Sequence, residues 1–594
     1  MRPTAKITCF LLAGTLAVLV VPLRSPPRSA TANAAPESNA NGNPQSNANG
    51  NAKADSPANA KGNSKAKAKG NSEGKAKGTA KGGASAKGGA PAKKSAARAA
   101  AGQPPLKSAD DKLALLEKIH RSFPARYITS GFTVDELDRQ LKFLLAMPPE
   151  KLAPPVDDEQ YARRVHLDLT GRLPTPGASA AFVADTDPAK RAKLVDRLLE
   201  TDDFSRHWAK YWRDVIFHNS TANRRRVNPQ ALENWFAEQF SKKVGWDRIV
   251  CELISATPKQ KKGDRNEFGQ DDGPNNFVLA CNNDAGEIAS QTARIFMGIS
   301  IQCAECHDHP FDQWKREQFH EMAAFFAPGK YLMPDMDEPA KKTEVKARFL
   351  LGEKPSPELK PDALRVAVAA YLAYNPDNYW FARAFVNRIW SEMLGDGFYP
   401  VDGLGPDKEC VHPQLLNRLG TVFRYQDFNI RWVFRTIASS QAYQRSSRAV
   451  DVKKELFSAV RPARLRSDQV VNAIEHVTGK TAPKLEKSLA ETFATDPSAS
   501  QESLEGSLQQ SLLLMNSTTL HAALAKSRLR TEAAQISDPD EAIDHLYRGV
   551  LARRPTADER ARARRFIAGV PNRAEAIDDL LWTLVNSTEF MTRR

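Results

Sequence analysis

Between Thr133 and Pro148 apolar positions recur at helical spacing: Phe132 and Leu137 stand as a hydrophobic staple around a Thr133–Glu136 capping box, and Leu141 and Leu144 continue the stripe. The pattern predicts a helix that stops before Pro148. Phe204, Trp208, Tyr211, Trp212 and Val215 repeat at three- and four-residue intervals, as do Phe381, Phe385, Ile389 and Met393, so each run predicts an amphipathic helix with its aromatic stripe in a core. Thr556 and Glu559 form a further capping box, and Ile577, Leu581 and Leu584 mark one apolar helix face. Strand-type alternation is confined to fragments such as Ile299 and Ile301. The predicted fold class is therefore mainly α, with two helical domains and few short strands.

Polar stretches divide the chain. Residues 255–280, rich in Gly, Asp and Asn, read as a surface excursion, and 476–510 as a second polar insertion. Residues 331–362 carry Pro334, Pro339, Pro355, Pro357 and Pro361 and read as an interdomain linker, which sets domains at 107–330 and 363–594. At the front, Arg2 and Lys6 precede a largely apolar run from Ile7 to Leu23, followed by small residues around Ala30-Thr31-Ala32. Residues 1–32 thus read as an export signal, cleaved or kept as an uncleaved anchor, and place the protein in the periplasm or cell envelope. Residues 33–106 are dominated by Ala, Gly, Asn, Ser and Lys with no aromatic residue, so they have nothing to bury and read as a disordered, low-complexity basic tether.

Charge changes the picture only when it is located. The chain carries a formal +15, of which residues 1–30 hold +4 and residues 31–106 hold +9, leaving +2 on the remainder. A near-neutral body is not expected to bind nucleic acid, because such domains gather Lys and Arg on the face that meets phosphates. Any weak contact with an anionic surface belongs to the tether. Gly-rich phosphate loops, nucleophile elbows and His-Glu-x-x-His helices are absent from the sequence, which argues against nucleotide-dependent enzymes, serine hydrolases and zincins. No catalytic residue is assigned.

Six cysteines in 594 residues do not make a disulfide scaffold. The informative group is Cys303-Ala304-Glu305-Cys306-His307, a spacing that composition alone would produce about once in a thousand such chains. Three chemistries use it. In a c-type haem site Cys303 and Cys306 add to the vinyl groups and His307 ligates the iron. A mononuclear site for zinc or another divalent metal would use Cys303, Cys306, His307 and His309. The third is a Cys303–Cys306 disulfide. Asp308 and Asp312 stand either as partners that orient an imidazole or as turn and cap residues. Met297, His309, His320, Met322, Met333 and Met336 are sixth-ligand candidates by residue type.

Arg163-Arg164-Val165-His166-Leu167-Asp168-Leu169-Thr170-Gly171-Arg172-Leu173-Pro174, Leu194-Val195-Asp196-Arg197-Leu198-Leu199, His207-Trp208-Ala209 and Cys303 through Asp312 resemble the planctomycete cytochrome-like domain family of unknown function, over about 130–330. The second half resembles its companion domain of unknown function through Trp380-Phe381-Ala382-Arg383, Val386-Asn387-Arg388-Ile389-Trp390, His412-Pro413-Gln414 and Leu584-Val585-Asn586-Ser587. The resemblance implies an exported protein with haem c at Cys303, Cys306 and His307. Here the tether stands where many relatives carry a separate cytochrome c domain, so any haem depends on this one motif. Arg383, Asn387, Arg388, Asp402 and His412 either line a substrate site or satisfy buried backbone; the second reading is the expectation.

The leading functional expectation is electron transfer or a redox-partner role with one haem c and a partner protein. The alternatives are a metal-dependent hydrolase of an envelope or extracellular polymer, with Asp308 or Asp312 as base, and a non-catalytic scaffold with a Cys303–Cys306 disulfide.

Overall fold

A computed structural model describes residues 106–593 apart from 107, 124–130, 147, 149–150, 219, 221, 223–224, 261–266, 339, 404–408, 448–456 and 499–505. The expected export signal at 1–32 and the tether at 33–106, Leu106 excepted, lie outside the described residues. The fold is mainly α, and strands among the described residues are limited to two short antiparallel pairs.

Helix starts follow the local chemistry closely. Thr133 Oγ1 accepts from the Glu136 amide at 3.3 Å and opens the Val134–Leu145 helix. The Glu136 carboxylate turns instead to Arg139 and Gln140, so only half of the expected capping box forms. The box at Thr556–Glu559 closes in both directions and begins the Ala557–Gly569 helix. Ile299 and Ile301 are buried but lie in irregular backbone, not in a strand.

The two aromatic stripes meet. Phe204, Trp208, Tyr211, Trp212 and Val215 lie buried on the Asp202–Phe217 helix, and Phe381, Phe385, Ile389 and Met393 on the Trp380–Leu394 helix. Trp212 stacks on Phe385 at 5.9 Å between ring centroids and lies 4.3 Å from Trp246. One hydrophobic cluster consequently runs from Leu115 to Phe457, while a second gathers Leu465 to Met591 with Leu167 and Leu173. The change from the larger cluster to the smaller falls near residue 460. The expected linker at 331–362 forms a hairpin, β1 (Tyr331–Pro334) with β2 (Lys342–Val345), and then buries Phe349 and Leu350 in the larger cluster. Parts of the two polar stretches are also core: Phe277 and Val278 on the Asn275–Ala280 helix, and Leu485 and Leu489 on the Pro483–Thr492 helix.

The Asp158–Thr170 helix ties the two clusters together through buried charge. Arg164 donates to the carbonyls of Tyr443 and Arg445 at 2.6 and 2.7 Å, and Arg163 donates to the Glu589 carbonyl at 3.0 Å. Asp168 accepts from Tyr443 Oη at 2.6 Å and from Arg593 at 2.9 Å, next to the pairing of β3 (Ala463–Arg464) with β4 (Thr592–Arg593). Each charged head is buried with a partner, which makes a polar helix face tolerable inside the protein.

Candidate functional site

The Ala285–Thr292 helix widens into a π turn over Ala293–Met297, and Gly298 then takes a left-handed conformation (φ +69°) that turns the chain outward. A short 3₁₀ turn, Gln302–Glu305, follows. Side chains three residues apart share a face in a 3₁₀ turn, so Cys303 and Cys306 emerge together on the solvent side while Ala304 is buried beneath them. Both are free thiols. Cys251 and Cys281 are buried thiols as well, and burial pushes Cys251 up to about 12 and Cys281 higher still, so neither is poised for thiolate chemistry.

His307 is exposed and its Nδ1–H donates to the Asp308 carbonyl at 2.7 Å. That bond commits Nδ1 and leaves Nε2 as the nitrogen that could meet a ligand, as in metal-ligating imidazoles. The expected carboxylate roles resolve toward structure. Asp308 accepts from the Arg316 amide and from Lys315 Nζ, both at 3.0 Å, at the start of the Arg316–Ala323 helix, and Asp312 accepts from the Gln313 amide at 2.8 Å. His309 closes the same loop: its amide donates to the Trp314 carbonyl at 2.8 Å, and its Nδ1 accepts from the Phe311 amide at 3.2 Å.

His320 braces the turn from behind. Its Nε2–H donates to the Glu305 carbonyl at 3.0 Å, while Nδ1 accepts from Tyr331 Oη on β1 at 2.9 Å. Both ring nitrogens are thereby occupied. Met297 and Met322 lie in the core, whereas Met336 is exposed on the segment joining β1 to β2. Among the described residues no group of three or more His, Cys, Asp or Glu side chains is gathered to hold a metal ion. The set Cys303, Cys306, His307 and His309 thus lies along one surface loop without forming a closed cage. Two exposed free thiols followed by an exposed imidazole are the residue types that haem c attachment would use.

A second polar centre lies away from this turn, at the junction of the two clusters. His207 Nδ1–H donates to Asp468 Oδ2 at 2.8 Å, and Arg466 donates to Asp468 Oδ1 at 3.2 Å and to Glu392 at 2.9 Å. Burial and the neighbouring Arg466 push the His207 imidazole below its ordinary value. Burial opposes the Asp468 charge, but Arg466 and His207 outweigh it and hold the carboxyl well below the usual carboxylate range. Gly171, at φ +67°, packs directly on the His207 ring, where a Cβ would overlap Nδ1. Sequence spacing singled out His207 only as part of a motif; Asp468 lies 261 residues away and carries no local signal.

Of the polar residues singled out in the second half, Asn387 and Arg388 are buried, and Arg383, Asp402 and His412 are half-buried. Asn387 donates to the Tyr399 carbonyl at 3.0 Å and accepts from the Phe398 amide at 2.7 Å. Arg388 pairs with Asp402, which also accepts from Arg294 and Ser498 at 2.7 Å. Arg383 lies 4.0 Å above the Tyr379 ring, and His412, at φ +53°, precedes the Pro413–Tyr425 helix.

Fold and site together define a helical protein that presents one Cys-x-x-Cys-His turn at its surface. Residues 137–331 match the model of PSCyt2, a protein of unknown function (DUF1549), and residues 365–507 match that of PSD1, a protein of unknown function (DUF1553). The chain carries a PSCyt2 domain followed by a PSD1 domain. No curated protein and no solved structure matches it.

Proposed function

We propose that this is an exported, envelope-associated haem c protein that serves electron transfer or a redox partner, with Cys303 and Cys306 as the thioether anchors and His307 as the axial ligand. The observation that carries the reading is the joint exposure of two unbridged thiols on one face of the Gln302–Glu305 turn, beside a His307 whose Nδ1–H is already committed to the Asp308 carbonyl. Ala304 anchors the turn inward, and His320 holds its Glu305 carbonyl, so the attachment face is braced before any ligand arrives. A haem bound there supplies a one-electron carrier. The apolar run Ile7–Leu23 supports the export that this chemistry requires.

The test is an intact mass of the protein produced in a host with haem-attachment machinery, together with its absorbance after denaturation. The expected result is one covalent haem, lost in Cys303→Ala/Cys306→Ala. Denatured protein without a chromophore overturns the reading. Stoichiometric zinc in its place would select a metal site, and a two-proton mass loss reversed by reductant would select the disulfide.

A further inference from the structure

The junction between the two matched domains contains a cleft of about 420 Å3, a size typical of small-molecule sites. The Asp202–Phe217 and Pro229–Ser241 helices supply one side, and Asp468 and Asn472 on the Ser467–Thr478 helix supply the other. The acids on its wall are already matched: Asp203 accepts from Arg172 at 3.2 Å, Glu233 pairs with Arg213, and Asp468 is held by Arg466 and His207. Two of its cations are not. Lys210 is half-buried and meets no ion-pair or hydrogen-bond partner among the described residues, and the exposed Arg206 reaches only the exposed Asp202, at 3.8 Å. The cleft therefore offers positive charge without a fixed counter-ion.

Its neutral groups point to hydroxyls. Asn472 spends its Nδ2 on the Gly171 carbonyl at 3.0 Å, which leaves Oδ1 as an acceptor. Asn234 accepts from Gln230 at 3.0 Å, which leaves its Nδ2 as a donor. A ligand meeting both needs groups that donate and accept, as hydroxyls do. The lining holds no aromatic or large aliphatic side chain other than the His207 ring, so a flat apolar ligand or a lipid chain gains little there.

We propose that this cleft binds a polyhydroxylated anion of monosaccharide size, a sugar carboxylate or sugar phosphate, with Lys210 and Arg206 on the anion and Asn234 and Asn472 on the hydroxyls. The site lies apart from the Cys303–His307 turn and does not depend on haem. Calorimetric titration of the whole chain with glucuronate, glucose 6-phosphate, glucose and inorganic phosphate tests it. At least one anionic sugar should bind about tenfold more tightly than glucose and than inorganic phosphate, and which one does so distinguishes carboxylate from phosphate. Lys210→Gln, at a half-buried position that holds no ion pair among the described residues, should abolish that advantage while leaving the unfolding curve in place. Equal binding of glucose, equal binding of inorganic phosphate, no binding by any probe, or an unchanged affinity in Lys210→Gln each overturns the proposal.

Discussion

His166 sits on the Asp158–Thr170 helix with its Nδ1–H donated to the Ala162 carbonyl at 2.8 Å, and burial pushes its imidazole down to about 4. An unfolded histidine titrates near about 6.5. Between those values the unfolded chain binds the additional proton, so this group lowers stability as pH falls from about 6.5 toward 4 and contributes no slope above that range. For a partly exposed ring the loss should be about 1–2 kcal/mol. Urea titrations at pH 7 and 4.5 should show His166→Gln losing less stability on acidification than the parent. Asn387 offers a test of a different kind. Its truncation to Ala strands the Phe398 amide and Tyr399 carbonyl inside the protein, which should cost about 2–4 kcal/mol, and chemical denaturation would read this as a lower midpoint at unchanged slope.

Individual helices were legible in the sequence because their signals are local. Thr133, Thr556 and the two aromatic stripes fall within one or two turns, and each appears where periodicity and capping put it. The Cys303–His307 spacing was visible for the same reason, although the 3₁₀ turn that carries it was not. What escaped was every pairing between distant elements: His207 with Asp468, Asp168 with Arg593, and Trp212 with Phe385. Composition also misled where apolar residues were sparse, since polar 255–280 and 476–510 each contribute a buried helix face. The end of the Asp158–Thr170 helix shows how tightly such elements are fitted. Gly171 terminates it in a left-handed conformation directly against the His207 ring, so Gly171→Ala meets both backbone strain and steric overlap. A loss of about 2–3 kcal/mol is expected in equilibrium unfolding. If the mutant unfolds with the parent, the contact between that cap and His207 is not a constraint.

At the scale of the molecule, the continuity of the larger cluster across residues 331–362 makes a strong statement about independence. A fragment of 107–330 would leave Trp212 and Trp246 without Phe385, and Arg163 and Asp168 without their partners at 589–593. It should lack a cooperative urea transition and near-ultraviolet circular dichroism, whereas 107–594 should show both. A sharp transition in the short fragment would mean that the PSCyt2 region folds alone. Breaking the long-range lock by Arg593→Met leaves Asp168 buried without its cation, and a loss of about 3–5 kcal/mol should appear as a lower unfolding midpoint. The same lock governs how the chain is made. Arg593 follows Asp168 by 425 residues, and at ordinary synthesis rates it leaves the ribosome about 20 to 85 s later. Throughout that interval Asp168 lacks its Arg593 partner, so the native packing around it waits on residue 593. Residue 593 thus closes packing begun at residue 168, and this part of the body is complete only once both have been made.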